Sequence, residues 1–268
     1  NRENLSKSLV ASRELKKGHI LKEKDIKILS PGQGLSPQML DQLIGKKLNR
    51  NMQLEDYFFK SDIDNLVYKS KKYNFKLDWG IPVRYHDFNE YQKLISPDLF
   101  EFHLSYKDME LDIEDFIKTK FKSGFVVHAP ELFKESNLMD LASPDENYRS
   151  KSIQETQRVI DITKDLNKFF PKQKRPLIVA NIGGFSMDKP IDFKFKDDYY
   201  KRFSDSLSQL STEGVELIPQ TMAPFPWHFG GQRYQNLFVL PDEIEEKCTH
   251  MNLRICLDVS HSMLTCNH

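Results

Sequence analysis

The chain has 268 residues, with 39 Lys plus Arg against 39 Asp plus Glu and a mean hydropathy of -0.58. That length supports a sizeable core and favours two domains over one. The balanced charge excludes a global field that would draw the chain to nucleic acid or an anionic membrane, and no apolar run is long enough for a transmembrane helix.

Residues 1–66 are short-period and turn-rich. Ser8–Ala11 reads as a strand, and Lys16–Leu21 as a turn at Gly18 followed by a short extended piece. Pro31–Gly34 is a loop in which Gly32 and Gly34 can supply positive φ. Ser36–Gly45 has the grammar of a helix, with Ser36 as N-cap, Pro37 in the first turn and Gly45 as the stop. The sum is a small, mostly-β module. The basic run Lys69–Lys76 reads as a solvated linker face, because no further basic clusters continue it as a stripe.

Residues 67–268 have a βα texture. Expected strands are Leu77–Tyr85, Leu99–Leu104, Gly124–His128, Leu177–Asn181, Gly214–Gln220 and Leu253–Asp258. Ser150–Phe170 and Tyr199–Leu210 show helical spacing of apolar residues. Alternating strands and helices make a parallel sheet with right-handed crossovers. No Gly-rich dinucleotide turn follows Tyr85, so a (β/α)8-type barrel fits better than an open doubly wound sheet. The fold class is therefore α/β, with the barrel truncated after about six strands.

The chemistry gathers where these strands end. Leu253–Asp258 stops at Asp258 and His261, and Gly124–His128 stops at His128; a carboxylate and imidazoles at strand C-termini can move a proton or hold a divalent metal. Plainer readings stand beside these: His128 bonding a backbone carbonyl, and Asp258 capping the next helix. Glu101 and His103 share one side of their strand. Prolines and glycines in Thr221–Gln232 forbid helix and regular strand, leaving Trp227 and His228 to cover a sugar ring, meet a lid or plug the barrel. The backbone N–H groups of Gly183–Gly184 and Gly230–Gly231 could meet a phosphate. Cys248, Cys256 and Cys266, odd in number and unlike a zinc knuckle in spacing, read as reduced, mostly packed thiols of a cytoplasmic protein.

Ser8–Ser12, Leu15–Leu21, Asp25–Lys27, Pro31–Gly34 and Leu43–Lys46 together resemble the SAF domain, the antifreeze-like module of sialic acid synthases, over residues 7–64. Lys7 stands where that family often has arginine, so a bidentate sugar contact is not expected there. Val127–Pro130, Ala180–Gly184, Glu216–Thr221 and Leu257–His261 resemble the xylose-isomerase-like barrels, which include sugar (phosphate) isomerases and epimerases and the AP endonuclease family 2 proteins, over residues 77–268. This resemblance implies catalytic roles for His128, Asp258 and His261, which would also be the ligands of a divalent Mn, Zn or Co ion. It implies substrate contacts from Glu101, His103, Asn181, Gln220, Trp227 and His228. Asn181 and Gln220 stand where family members usually have His and Glu, which weakens metal binding.

The two resemblances together imply a fragment of a sialic-acid-like (nonulosonic acid) biosynthesis enzyme. It would be a synthase-type SAF module fused to a sugar isomerase or epimerase-like barrel that removes a proton α to a carbonyl, and it would be inactive alone. A non-catalytic sugar-binding barrel and an AP-endonuclease-like hydrolase are the alternatives. The expected partners are a sugar or sugar phosphate, not nucleic acid or membrane, with a homo-oligomer formed through the SAF module and a missing synthase barrel.

Overall fold

Two units, Asn1–Lys69 and Ser70–His268, make up the chain in the computed structural model, which describes residues 6–64, 74–224 and 233–266. In the first, β1 (Ser8–Ala11) pairs antiparallel with β2 (Ile26–Leu29). Bridges Val10–Tyr57, Leu15–Met52 and Ile20–Lys47 carry the pairing around the module. Their apolar sides meet in a core that includes Leu9, Leu15, Leu21, Leu43, Met52 and Phe58. The expected helix is shorter and split into a 3-10 turn, Pro37–Met39, and one α turn, Leu40–Leu43. Pro37 begins it, Ser36 occupies the N-cap without a side-chain capping bond, and Gly45 follows at φ +79°.

Asp25 is the buried polar centre of this unit. It accepts from Arg13 at 3.0 and 2.7 Å, from His19 Nε2 at 2.7 Å and from the Lys22 N–H at 3.0 Å. Burial alone would raise its pKa, but these donors outweigh burial and hold the carboxyl down to about 2.

The second unit is α/β. Strands β3 (Gly80–Val83), β4 (Leu99–His103), β5 (Gly124–His128) and β6 (Leu177–Ala180) lie side by side. A short strand β7 (Phe185–Met187) leaves the sheet, β8 (Glu216–Pro219) returns to pair with β6, and β9 (Arg233–Gln235) pairs antiparallel with β7. The parallel sheet runs β3-β4-β5-β6-β8, so neighbours in space follow the order of the chain. That is the progression a βα barrel requires. Among the described residues no helix is long and apolar enough to cross a membrane.

Two of the boundaries that differ from expectation have a clear local cause. The Leu77–Tyr85 strand stops at Val83 because the Arg84 N–H donates to Asp87 at 2.7 Å, starting the helix Tyr85–Leu94. The Ser150–Phe170 helix spans Glu146–Asn167 because Asp145 caps the Asn147 and Tyr148 N–H groups at 2.9 and 3.0 Å. The expected sixth strand, Leu253–Asp258, joins β8 through a single parallel bridge, Gln220–Cys256. There the Cys256 N–H donates to Pro219 O at 2.8 Å and the Thr221 N–H to Cys256 O at 2.9 Å. At the start of that segment, Arg254 forks onto Glu216 with two bonds of 2.7 Å, and Arg175 lies 3.3 Å from the same carboxylate. Cys248 and Cys256 are half-buried free thiols, but Cys266 is exposed, contrary to the packed position expected of it.

The sheet has two chemically different faces. Phe100, Phe102, Phe125, Val127, Ile178 and Leu217 enter the main core, where they meet Phe88, Val159, Ile160 and Phe203 from the helices. Phe88 sets the pattern, with ring edges toward Phe100 at 5.0 Å and Phe121 at 4.9 Å. Side chains alternate along a strand, so Glu101, His103, His128, Asn181 and Gln220 all fall on the opposite face. One face is thus closed with apolar side chains, while the other carries polar groups to the strand C-termini.

Candidate active site

At the ends of β4 and β5, register places His103 beside His128. Their rings stack with centroids 4.2 Å apart and planes 14° from parallel. Glu101, two residues earlier on the same face, lies 3.0 Å from His103 Nδ1. That hydrogen bond holds the Glu101 carboxyl below its ordinary value although burial opposes it.

Gln220, buried at the end of β8, is the hub of the remaining groups. Its Oε1 is 2.8 Å from His128 Nε2, and its Nε2 is 2.9 Å from Asp258 Oδ2. Asp258 Oδ1 accepts the His261 N–H at 2.9 Å, while the Asp258 N–H donates to Thr221 Oγ1 at 2.8 Å. His261 Nδ1 lies 2.8 Å from the Thr221 carbonyl and 3.5 Å from Asp258 Oδ2. Gln220 Nε2 also lies 3.2 Å from His261 Nδ1; the carbonyl is the closer partner and can only accept, so Nδ1 carries the proton and Nε2 is the basic nitrogen. His128 has an oxygen acceptor at each ring nitrogen, Gln220 Oε1 2.8 Å from Nε2 and Ala129 O 3.0 Å from Nδ1. The two imidazoles are thus tied together through one amide.

The structure brings together His128, Asp258 and His261, with Glu101, His103 and Gln220 around them. Asn181 shares the sheet face, but its Oδ1 turns back to accept the Gly183 N–H at 3.1 Å. Trp227 and His228 lie outside the described residues, as do Gly230 and Gly231. The expectation that His128, Asp258 and His261 form a metal ligand set does not fit this arrangement. Among the described residues no group of three or more His, Cys, Asp or Glu side chains could hold a metal ion. Both His128 ring nitrogens and His261 Nδ1 lie against protein oxygens, and both Asp258 oxygens accept from protein N–H groups.

Thr221 was missed as a positioning residue, although it lies directly beside Gln220. Asp140 was missed altogether; the only sequence signal is a lone charge within Leu138–Ala142. It is buried, and its Oδ1 accepts from the Gly184 N–H at 2.8 Å and the Ala142 N–H at 3.1 Å. Burial pushes its pKa up to about 6 against those bonds. A Cβ at Gly183, which has φ +88°, would lie 2.3 Å from Asp140 Oδ1, and one at Gly184 would lie 2.6 Å from Leu237 Cγ. This glycine pair admits close neighbours, and both of its N–H groups are used inside the protein. The phosphate cradle expected of Gly183–Gly184 is thereby corrected.

Comparison with known proteins agrees with this architecture. The family model described as xylose isomerase-like TIM barrel matches residues 93–267, and the SAF domain model matches residues 6–63. A pseudaminic acid synthase of Campylobacter jejuni subsp. jejuni (serotype O:23/36, strain 81-176) is 37% identical over 57 residues, which are 21% of this chain and 17% of that protein. The chain thus spans about a sixth of the length of the curated relatives it matches. A D-tagatose 3-epimerase-like protein of known structure is 17% identical, with 69% of this chain and 66% of that one covered and a TM-score of 0.44. The antifreeze-protein-like domain of human N-acetylneuraminic acid phosphate synthase is 24% identical, with 26% and 89% covered and a TM-score of 0.21.

Proposed function

We propose that this chain, which belongs to the xylose isomerase-like TIM barrel family and carries a SAF domain at residues 6–63, serves the biosynthesis of sialic-acid-like (nonulosonic acid) sugars. In this reading the barrel binds a sugar or sugar phosphate and moves a proton on the carbon next to its carbonyl. The pathway assignment is supported by the SAF domain and by its 37% identity to a pseudaminic acid synthase. The reaction class is supported by one observation, the meeting of His128, Asp258 and His261 at the Gln220 amide.

His261 Nε2 is the base: it takes the proton, and the C–H electron pair becomes the new C=C bond. The carbonyl oxygen gains negative charge and competes with Gln220 Oε1 for the His128 N–H. Asp258 orients His261 through its main-chain N–H, while Glu101 and His103 back the His128 ring. A positioned general base of this kind contributes roughly 10²–10⁴ in rate.

The test is carbon-bound hydrogen exchange in D2O, followed by NMR, with the protein expressed from its own reading frame and a panel of N-acyl amino sugars and their phosphates. Exchange that falls at least about 100-fold in His261→Asn is the expected result. Sugar binding without exchange would sink the reaction and leave a non-catalytic sugar-binding barrel, the reading favoured by the amides at Asn181 and Gln220.

A further inference from the structure

We infer that Gln220 makes this barrel mouth a metal-independent site, because its side-chain amide fills by hydrogen bonds the position that a cation shared by His128 and Asp258 would need. The inference does not depend on which sugar is bound or on whether it is turned over.

The orientation of the amide follows from its neighbours. Asp258 Oδ2, 2.9 Å away, accepts a hydrogen bond and so takes the NH2 end of Gln220. Oε1 must then face His128 Nε2 at 2.8 Å, and Nδ1 of the same ring faces Ala129 O at 3.0 Å, so both ring nitrogens point at acceptors that call for a proton. A protonated nitrogen has no lone pair for a metal. His261 Nδ1 is likewise committed to the Thr221 carbonyl at 2.8 Å, so the imidazole nitrogens closest to Gln220 are donors rather than ligands.

The Gln220 backbone is fixed in the sheet. Its N–H donates to Ala180 O at 3.1 Å on the β6 side, and the Thr221 N–H donates to Cys256 O at 2.9 Å on the other. The amide also brings no charge, and the nearby Glu101 is engaged with His103. A hard cation entering here would break the Gln220 side-chain bonds to His128 and Asp258 and find Asp258 as its one ready anionic partner in the hub.

The experiment is calorimetric titration of the protein and of Gln220→Glu with Mn²⁺, alongside long-range ¹H–¹⁵N spectra that assign the proton on each His128 ring nitrogen. The wild type should show no stoichiometric binding up to about 1 mM Mn²⁺, and Gln220→Glu should bind at least roughly tenfold more tightly, since a carboxylate adds charge and removes the obstructing N–H. His128 Nε2 should be protonated in the wild type. One equivalent of Mn²⁺ bound by the wild type and lost in His128→Gln would overturn the inference. So would a folded Gln220→Glu that binds no better than wild type. If that variant fails to fold, the spectrum of the wild type decides: a proton on His128 Nε2 upholds the inference, and a lone pair there refutes it.

Discussion

Asp140 is a carboxyl group sealed beneath the Asn181–Gly184 loop, and its burial makes a sharp prediction. Its pKa moves from the ordinary 3.8 to about 6, so the folded protein holds this proton more tightly than the unfolded chain does. Where the folded state binds more protons, stability falls as pH rises. Asp140 therefore costs nothing below about pH 3.8, and the cost grows until pH passes about 6. At about 1.4 kcal/mol for each tenfold change in proton affinity, the full cost is about 3 kcal/mol. Asp140→Asn keeps an oxygen for the Gly184 and Ala142 N–H groups and removes the charge. The two proteins should be compared by urea denaturation at a series of pH values from 3.5 to 7.5. Wild-type stability minus variant stability should fall by about 3 kcal/mol across that range. Subtracting the variant cancels the other titrating groups and any fixed cost of the new amide. A difference that stays level with pH would refute the account of Asp140 as a desolvated acid.

Two further outcomes follow from the same coordinates. Gly183→Ala, strained at φ +88° and overlapping Asp140, should lose at least about 3 kcal/mol, whereas Gly214→Ala, at φ +83° with nothing within 4 Å, should lose about 1 kcal/mol; equal losses in thermal melts would show that the close approach is immaterial. Asp25, held down to about 2 in the fold, contributes stability above its ordinary 3.8 and loses it as pH falls toward 2. Acid unfolding of the SAF unit should therefore show about 2 kcal/mol lost in that window and absent in Asp25→Asn, and an unchanged acid limb in the variant would contradict the donor network.

Much of the fold is legible because period-2 alternation and helix grammar act locally. Gly124–His128 is an apolar run whose end coincides with a real strand end, and Ser8–Ala11 is bounded by turn residues that behave as such. The alternation that buries Phe100 and Phe102 also delivers Glu101 and His103 to the polar face. The hub around Gln220 is less legible, since its bonds join residues 92 and 38 positions apart. The sequence shows an amide where the family usually has a carboxylate, but only the fold shows what that amide does. The Gly183–Gly184 pair misleads because positive φ serves a phosphate cradle and a tight packing contact equally well; the occupant, Asp140, lies 44 residues from Gly184. Leu253–Asp258 has the composition of a buried strand, yet Leu257 is 66% exposed, and composition cannot reveal how many ladder bonds an edge segment will make.

That edge segment is moored at its foot, at the Cys256 bridge and at its head. The Arg254–Glu216 fork holds the bottom, and the Thr221 and Gln220 bonds hold the top, roughly 13 Å further along an extended chain. The lower mooring is an ion pair whose guanidinium is exposed, so dissolved salt weakens it, while the upper one seats Asp258 and His261. Dissolved salt thus loosens the foot of this segment, while the Cys256 bridge above it keeps the seat of His261 in register.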